Sequence, residues 1–355
     1  MSTSKFTPAR IDGRYRGLLP RVTLVPRTWW RLLWVLALLA GLIGSSQAQT
    51  AQAADVSPEV ASFTVHDMDW TDSARERPVP VRLYWPQQSA AQGTVPLVVV
   101  SHGIGGSRRG YSYLGQYFAR HGMASLHLQH VGSDRALWSG NPLSLIGRLR
   151  DAAQESEAAN RARDLSFALG QLLDQTEFGM RIDRQRIAAA GHSYGANTVM
   201  LAIGAQVSRE GMPLPLRDLR LKAAVLLSAP PFYGEGSMVD ILRGISLPTL
   251  HVTATGDVIR IPGYFSPASD RVAVFDAMGG SSKALAVFEG GSHNIFSDRQ
   301  GSGGAALNAK VKAATQTLAM AFLQSVFQSD DRALLRWPEQ NKDLLSQWIR
   351  PPSGP

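Results

Sequence analysis

Apolar residues along this chain follow two alternating patterns, short unbroken runs and longer stretches in which they recur every three or four positions. The runs predict strands near 60–66, 79–86, 95–101, 123–129, 186–190, 222–227, 248–253 and 284–288. The recurring pattern predicts helices near 113–119, 160–175, 196–203, 267–278, 305–327 and 331–349. The first two strands, joined by a charged turn, read as a meander. The β-branched run Val95-Pro96-Leu97-Val98-Val99-Val100-Ser101 reads as a strand covered on both faces. Strands alternating with helices imply a mostly parallel sheet wrapped on both sides, the α/β class. Order breaks down over 131–159, where Gly132, Gly140 and Pro142 interrupt Trp138, Leu143, Leu145 and Ile146. This insertion is either a lid or pocket wall beside the site, or an ordinary surface excursion whose apolar residues pack down.

The strand at 186–190 ends abruptly in Gly191-His192-Ser193-Tyr194-Gly195, and a helical pattern follows at once. Strand, Gly-x-Ser-x-Gly and helix together make a nucleophile elbow, which holds a serine hydroxyl exposed at the carboxyl edge of a sheet. A serine is a poor nucleophile at neutral pH and needs a base and an acid to orient that base. Catalytic groups in a parallel sheet come from loops at the carboxyl ends of strands. That rule selects His293, in Gly290-Gly291-Ser292-His293 just past the last predicted strand, from eight histidines. It also selects Asp257, directly after the 248–253 strand, ahead of Asp270 and Asp276, which fall in a helical stretch. His66, His121 and His127 sit in or beside ordinary elements, and His192 is expected to support the elbow. The oxyanion of an attacked carbonyl needs two backbone N–H donors. The amide of Tyr194 is one candidate. The amide of Ile104, in the glycine-rich loop His102-Gly103-Ile104-Gly105-Gly106, is the other. That loop lacks the Gly-Lys-Ser/Thr ending of a phosphate-binding P-loop and the spacing of a dinucleotide site, and His102 is expected to be structural. No metal-ligand motif stands out, and a Ser-His-Asp set needs no cofactor.

Charge and composition alter this picture only at the amino terminus. The formal charge is +8, but residues 1–53 hold seven Lys/Arg against one Asp, so +6 of it belongs to the leader. No basic stripe remains to suggest nucleic acid as a partner. The leader runs from a basic region through apolar residues 32–43 to small residues ending Ala51-Gln52-Ala53, with Ser46-Gln47-Ala48 as a second possible cleavage site. This is the order of a secretory signal, and its apolar core is short for a membrane span of roughly 20 residues. The expectation is an exported protein, periplasmic or extracellular, comprising a signal peptide at 1–53 and a single catalytic domain at 54–355. The alternative is an uncleaved anchor in the inner membrane. The chain has no cysteine, so neither a disulfide nor a lipidated cysteine is available.

Several segments together resemble secreted bacterial α/β-hydrolases related to platelet-activating-factor acetylhydrolase and described as predicted dienelactone hydrolases. They are Val99-Val100-Ser101-His102-Gly103-Ile104-Gly105-Gly106-Ser107, Leu126-His127-Leu128-Gln129-His130-Val131-Gly132-Ser133-Asp134, the Gly-His-Ser-Tyr-Gly elbow, and Phe288-Glu289-Gly290-Gly291-Ser292-His293. The resemblance implies an α/β-hydrolase fold with an eight-stranded sheet, Ser193 as nucleophile, Asp257 as acid and His293 as base. It also implies a small-molecule or lipid-like ester substrate with a short acyl chain. True dienelactone hydrolases use a cysteine nucleophile, which this chain lacks, so the resemblance points to serine esterase chemistry. A peptidase using the same three residues, or a non-catalytic binding module on the same fold, are the alternatives.

Overall fold

Nine strands form the central sheet: β1 (Phe63–Asp72), β2 (Arg77–Pro86), β3 (Val95–Ser101), β4 (Ala124–Leu128), β5 (Ile182–His192), β6 (Ala223–Leu227), β7 (Thr249–Gly256), β8 (Lys283–Ser292) and β9 (Leu345–Ile349). The helices are α1 (Ser112–Arg120), α2 (Leu145–Ala152), α3 (Glu155–Asp174), α4 (Tyr194–Ile203), α5 (Met238–Leu242), α6 (Ser269–Ala277), α7 (Ala305–Gln328) and α8 (Arg332–Gln340). This computed structural model describes residues 62–87, 93–209, 211–232, 236–261, 264–298 and 305–350, within one compact unit bounded by residues 58 and 355. The expected signal peptide at 1–53, with both candidate cleavage sites, lies outside the described residues. Among the described residues no helix is long and apolar enough to cross a membrane.

The strands lie in the order β1-β2-β4-β3-β5-β6-β7-β8-β9. From β4 to β8 every neighbouring pair is parallel, while β1–β2, β2–β4 and β8–β9 are antiparallel. This is the mostly parallel, helix-flanked sheet of an α/β-hydrolase. All seven residues of β3 are buried, as its unbroken apolar run requires of a strand sandwiched on both faces. Its side chains alternate between two cores. Val95, Leu97 and Val99 join the core under α3 and α4, whereas Val98 and Val100 join the core under α1, α7 and α8.

Two expectations are corrected. The sheet has nine strands, because the helix expected over 331–349 stops at Gln340 and residues 345–349 pair antiparallel with β8. Proline at 338 removes an amide donor near the end of that helix, and Asn341 closes it. The segment 131–159 also holds more regular structure than its punctuation suggests. It folds into two 3₁₀ turns (Arg135–Trp138 and Pro142–Ser144) and α2, and α3 begins at Glu155.

Candidate active site

Ser193 stands between the end of β5 and the start of α4 with φ 55° and ψ −122°, a conformation that costs a non-glycine residue energy. Neighbouring backbone holds it there. Its amide donates to the Leu227 carbonyl at 2.9 Å, and its own carbonyl accepts from Ala196 at 2.8 Å. Both flanking glycines are required by close approach. A Cβ on Gly191 would lie 2.2 Å from the Gly195 carbonyl oxygen, and one on Gly195 would lie 2.0 Å from the Ser101 carbonyl oxygen. No L side chain fits at either place.

The structure brings Ser193, His293 and Asp257 together. The Ser193 hydroxyl donates to His293 Nε2 at 2.7 Å, and His293 Nδ1–H donates to Asp257 Oδ1 at 2.7 Å. Asp257 follows β7 and is fully buried. Its second oxygen accepts from the Thr253 hydroxyl at 2.7 Å, and Arg271 Nε of α6 lies 3.5 Å from Oδ1. Burial pushes this carboxyl up, but the hydrogen bond from His293 and the charges of His293 and Arg271 outweigh burial and hold it below the usual carboxylate range. The loop carrying His293 turns through Gly290 (φ 70°) and Gly291 (φ 84°), a left-handed pair that side chains rarely adopt. Asp270, on α6, accepts from the Ser266 hydroxyl, and Asp276 is exposed on the same helix.

His192 supports the elbow. Its Nε2–H donates to the His293 carbonyl at 2.9 Å, while Nδ1 accepts from the Tyr111 hydroxyl at 2.8 Å. That hydroxyl in turn accepts from the Gly103 amide at 3.3 Å. This chain of bonds ties the loop after β3 to the loop after β8 through the residue next to Ser193. It needs a neutral imidazole, and burial, reinforced by the nearby His293, pushes His192 down to about 3. His102 is likewise structural: Nδ1–H donates to the Gly103 carbonyl at 2.7 Å, and Nε2 accepts from the His130 amide at 3.1 Å.

The glycine-rich loop crosses directly over the elbow, so that a Cβ on Gly103 would lie 3.4 Å from Ser193 Cβ. Ile104 follows in that loop, and Tyr194 opens α4, where the first amides of a helix have no intrahelical acceptor. Neither amide donates to a backbone carbonyl elsewhere among the described residues. The insertion straps this loop down. Gly105 N–H donates to the Ser133 carbonyl at 2.8 Å, and Trp138 Nε1–H donates to the Gly105 carbonyl at 2.8 Å.

Sequence reasoning missed the polar layer behind the loop. Arg161 of α3 is fully buried and reaches the His102 carbonyl. Beside it the Ser101 hydroxyl donates to His130 Nε2 at 2.9 Å, and His130 Nδ1–H donates to Asp164 at 3.1 Å. A signal was present: Leu165, Leu169, Leu172 and Ala168 face the core, and that periodicity puts Arg161 on the same face. Tyr111 and Arg271 carried no comparable signal, because their partners lie 81 and 14 positions away in the chain. Among the described residues no group of three His, Asp or Glu could hold a metal ion.

A family model described as platelet-activating factor acetylhydrolase, isoform II, matches residues 61–139. That match covers β1 to β4 and the loop over the elbow, and ends before Ser193, Asp257 and His293. The platelet-activating factor acetylhydrolase of Canis lupus familiaris is 29% identical over 161 residues, covering 35% of this chain and 36% of that protein. The Cavia porcellus protein of the same name is 26% identical over 254 residues, covering 62% of this chain and 52% of its own length. The chain thus spans between a third and about half of the length of these curated relatives.

Proposed function

We propose that this protein is a serine hydrolase that cleaves carboxylic esters through an acyl-enzyme on Ser193. The observation that carries the reading is the unbroken line from the Asp257 carboxylate through both nitrogens of His293 to the Ser193 hydroxyl, each link 2.7 Å. Asp257 fixes the tautomer in which Nε2 is free to accept a proton. Nε2 takes the hydroxyl proton as Ser193 Oγ attacks the ester carbonyl. The carbonyl oxygen becomes an oxyanion held by the amides of Ile104 and Tyr194. Collapse breaks the C–O bond to the alcohol, which leaves with the proton from Nε2. Water, deprotonated by the same nitrogen, then attacks the acyl-serine and releases the acid.

The substrate proposed is a lipid-like ester with a short acyl chain, supported by the similarity to two acetylhydrolases and the matched family model. Hydrolysis of p-nitrophenyl acetate by the purified protein and by Ser193→Ala tests the chemistry. Removing a triad nucleophile lowers kcat by several orders of magnitude, on the order of 10⁶ in a well-studied case. The variant should therefore fall at least about 10³-fold, with fluorophosphonate labelling lost. Equal rates for the two proteins would refute the proposal. A p-nitrophenyl series of increasing acyl length tests the substrate class, with acetate expected to be preferred over long chains.

A further inference from the structure

The geometry points to Arg161 as the positioning residue of the oxyanion hole, a single buried guanidinium that fixes both donor segments relative to each other. This rests on the reading of Ser193 as nucleophile and deepens it. Arg161 projects from α3 and is fully buried. Nη2 donates to the His102 carbonyl, two residues before Ile104, and to the Ser101 hydroxyl at 3.2 Å. Nε donates to the Thr198 hydroxyl at 2.9 Å, which itself donates to the Tyr194 carbonyl at 3.0 Å. The guanidinium also lies 4.5 Å over the Tyr194 ring. Nη1 donates at 2.8 Å to the hydroxyl of Ser133, the residue whose carbonyl holds the Gly105 amide.

Every one of these bonds ends on the end of β3 and the loop after it, on α4, or on the turn after β4 whose Ser133 carbonyl holds Gly105. None ends on a carboxylate, although Glu157 and Asp164 are close by. Those two acids are engaged by Arg77, at 3.0 and 2.9 Å, and by Ser133 and His130. Among the described residues Arg161 therefore holds a buried charge on neutral acceptors without a direct ion pair, an arrangement that costs stability. Burial lowers its pKa to about 10, which leaves it protonated at neutral pH. The planar fork suits this job. It spans four acceptors on three elements and stacks on an aromatic ring, whereas a lysine ammonium is a point charge on a flexible stem. Donors in an oxyanion hole act only when fixed before the reaction, so a loosened frame reduces transition-state stabilisation and leaves ground-state binding in place.

The test compares the wild type with Arg161→Lys, Arg161→Gln and the control Arg77→Gln, which breaks the adjacent ion pairs without touching the loop. Three quantities are measured: kcat and KM for p-nitrophenyl acetate, Ki for a trifluoromethyl ketone whose tetrahedral adduct places an oxyanion in the hole, and the melting temperature. Removing one oxyanion donor outright typically lowers kcat by about 10² to 10³; the Arg161 variants keep both amides and only loosen them, so kcat should fall by less, about 10- to 100-fold. KM should stay within about threefold and Ki should rise in proportion to the loss in kcat. Arg77→Gln should melt earlier yet keep kcat and Ki. Folded Arg161 variants with wild-type kcat, or with reduced kcat and unchanged Ki, would overturn the inference. If neither Arg161 variant folds, Thr198→Val takes their place, and an unchanged Ki there overturns it equally. Wild-type protein inert toward both ester and fluorophosphonate would instead sink the hydrolase reading and this inference with it.

Discussion

Glycine does opposite jobs at different positions in this chain. At Gly195 the nearest atom to an added Cβ is a backbone oxygen 2.0 Å away, which no rotamer change relieves. Gly195→Ala must push β3 and α4 apart, so it should cost at least about 2 kcal/mol of stability and nearly all activity. Gly147, exposed within α2, has nothing within 4 Å of an added Cβ. There the methyl only restricts the unfolded chain and favours the helix. Gly147→Ala should stabilise by about 0.5 to 1 kcal/mol. Urea unfolding of the two variants checks the pair, and a Gly195→Ala protein with wild-type stability would contradict the elbow geometry described.

The insertion between β4 and α3 is fastened to the loop over Ser193 through Trp138 and Ser133, yet much of its surface is open. Leu143 is 90% exposed, Ile146 53% and Trp138 47%. Trp138→Phe keeps an aromatic ring and removes the hydrogen bond to the Gly105 carbonyl. Because the ring is half exposed, thermal stability should change by no more than about 1 kcal/mol. Turnover of p-nitrophenyl acetate should fall about three- to tenfold as the loop carrying Ile104 loosens, and an unchanged kcat would show that the strap does not hold it. The sequence made some of these elements readable and others not. β3 and β5 end in signals that are local: an unbroken apolar run, then a glycine-rich loop or an elbow. His293 and Asp257 were reachable because strand ends point to where loops meet. The strand at 345–349 read as helix because Leu334, Trp337, Leu344 and Trp348 keep roughly helical spacing, and only the edge of β8 makes a strand of it. α2 was hidden by Gly140, Pro142 and Gly147. The periodicity of α3 marks Arg161 as facing the core, but its partners lie as many as 60 positions away, and no local pattern names them.

Five histidines, at 102, 127, 130, 192 and 251, are each at most 3% exposed. Burial is the first cause that moves all of them down, to about 4 for His127, about 3 for His130, His192 and His251, and well below the ordinary value for His102. Above about pH 6.5 these imidazoles are neutral whether the chain is folded or not, and they add no pH dependence. Below it the unfolded chain takes up protons that the folded one refuses, so stability falls with pH until the folded values near 3 to 4 are reached. Each group adds a slope of up to about 1.4 kcal/mol per pH unit. Asp257, held low, contributes in a lower window: its stabilisation is present above about pH 3.9 and is lost below that. The urea midpoint should therefore drop steeply between pH 6.5 and 4, with unfolding coupled to uptake of several protons. A midpoint that is flat from pH 7 to 5 would show that these histidines are not held neutral.

β1 forms one margin of the sheet and β9 the opposite margin, with seven strands between them. At about 4.8 Å per strand the two lie roughly 38 Å apart. A short peptide cannot bridge these two edge strands directly; it would have to cross the whole width of the sheet.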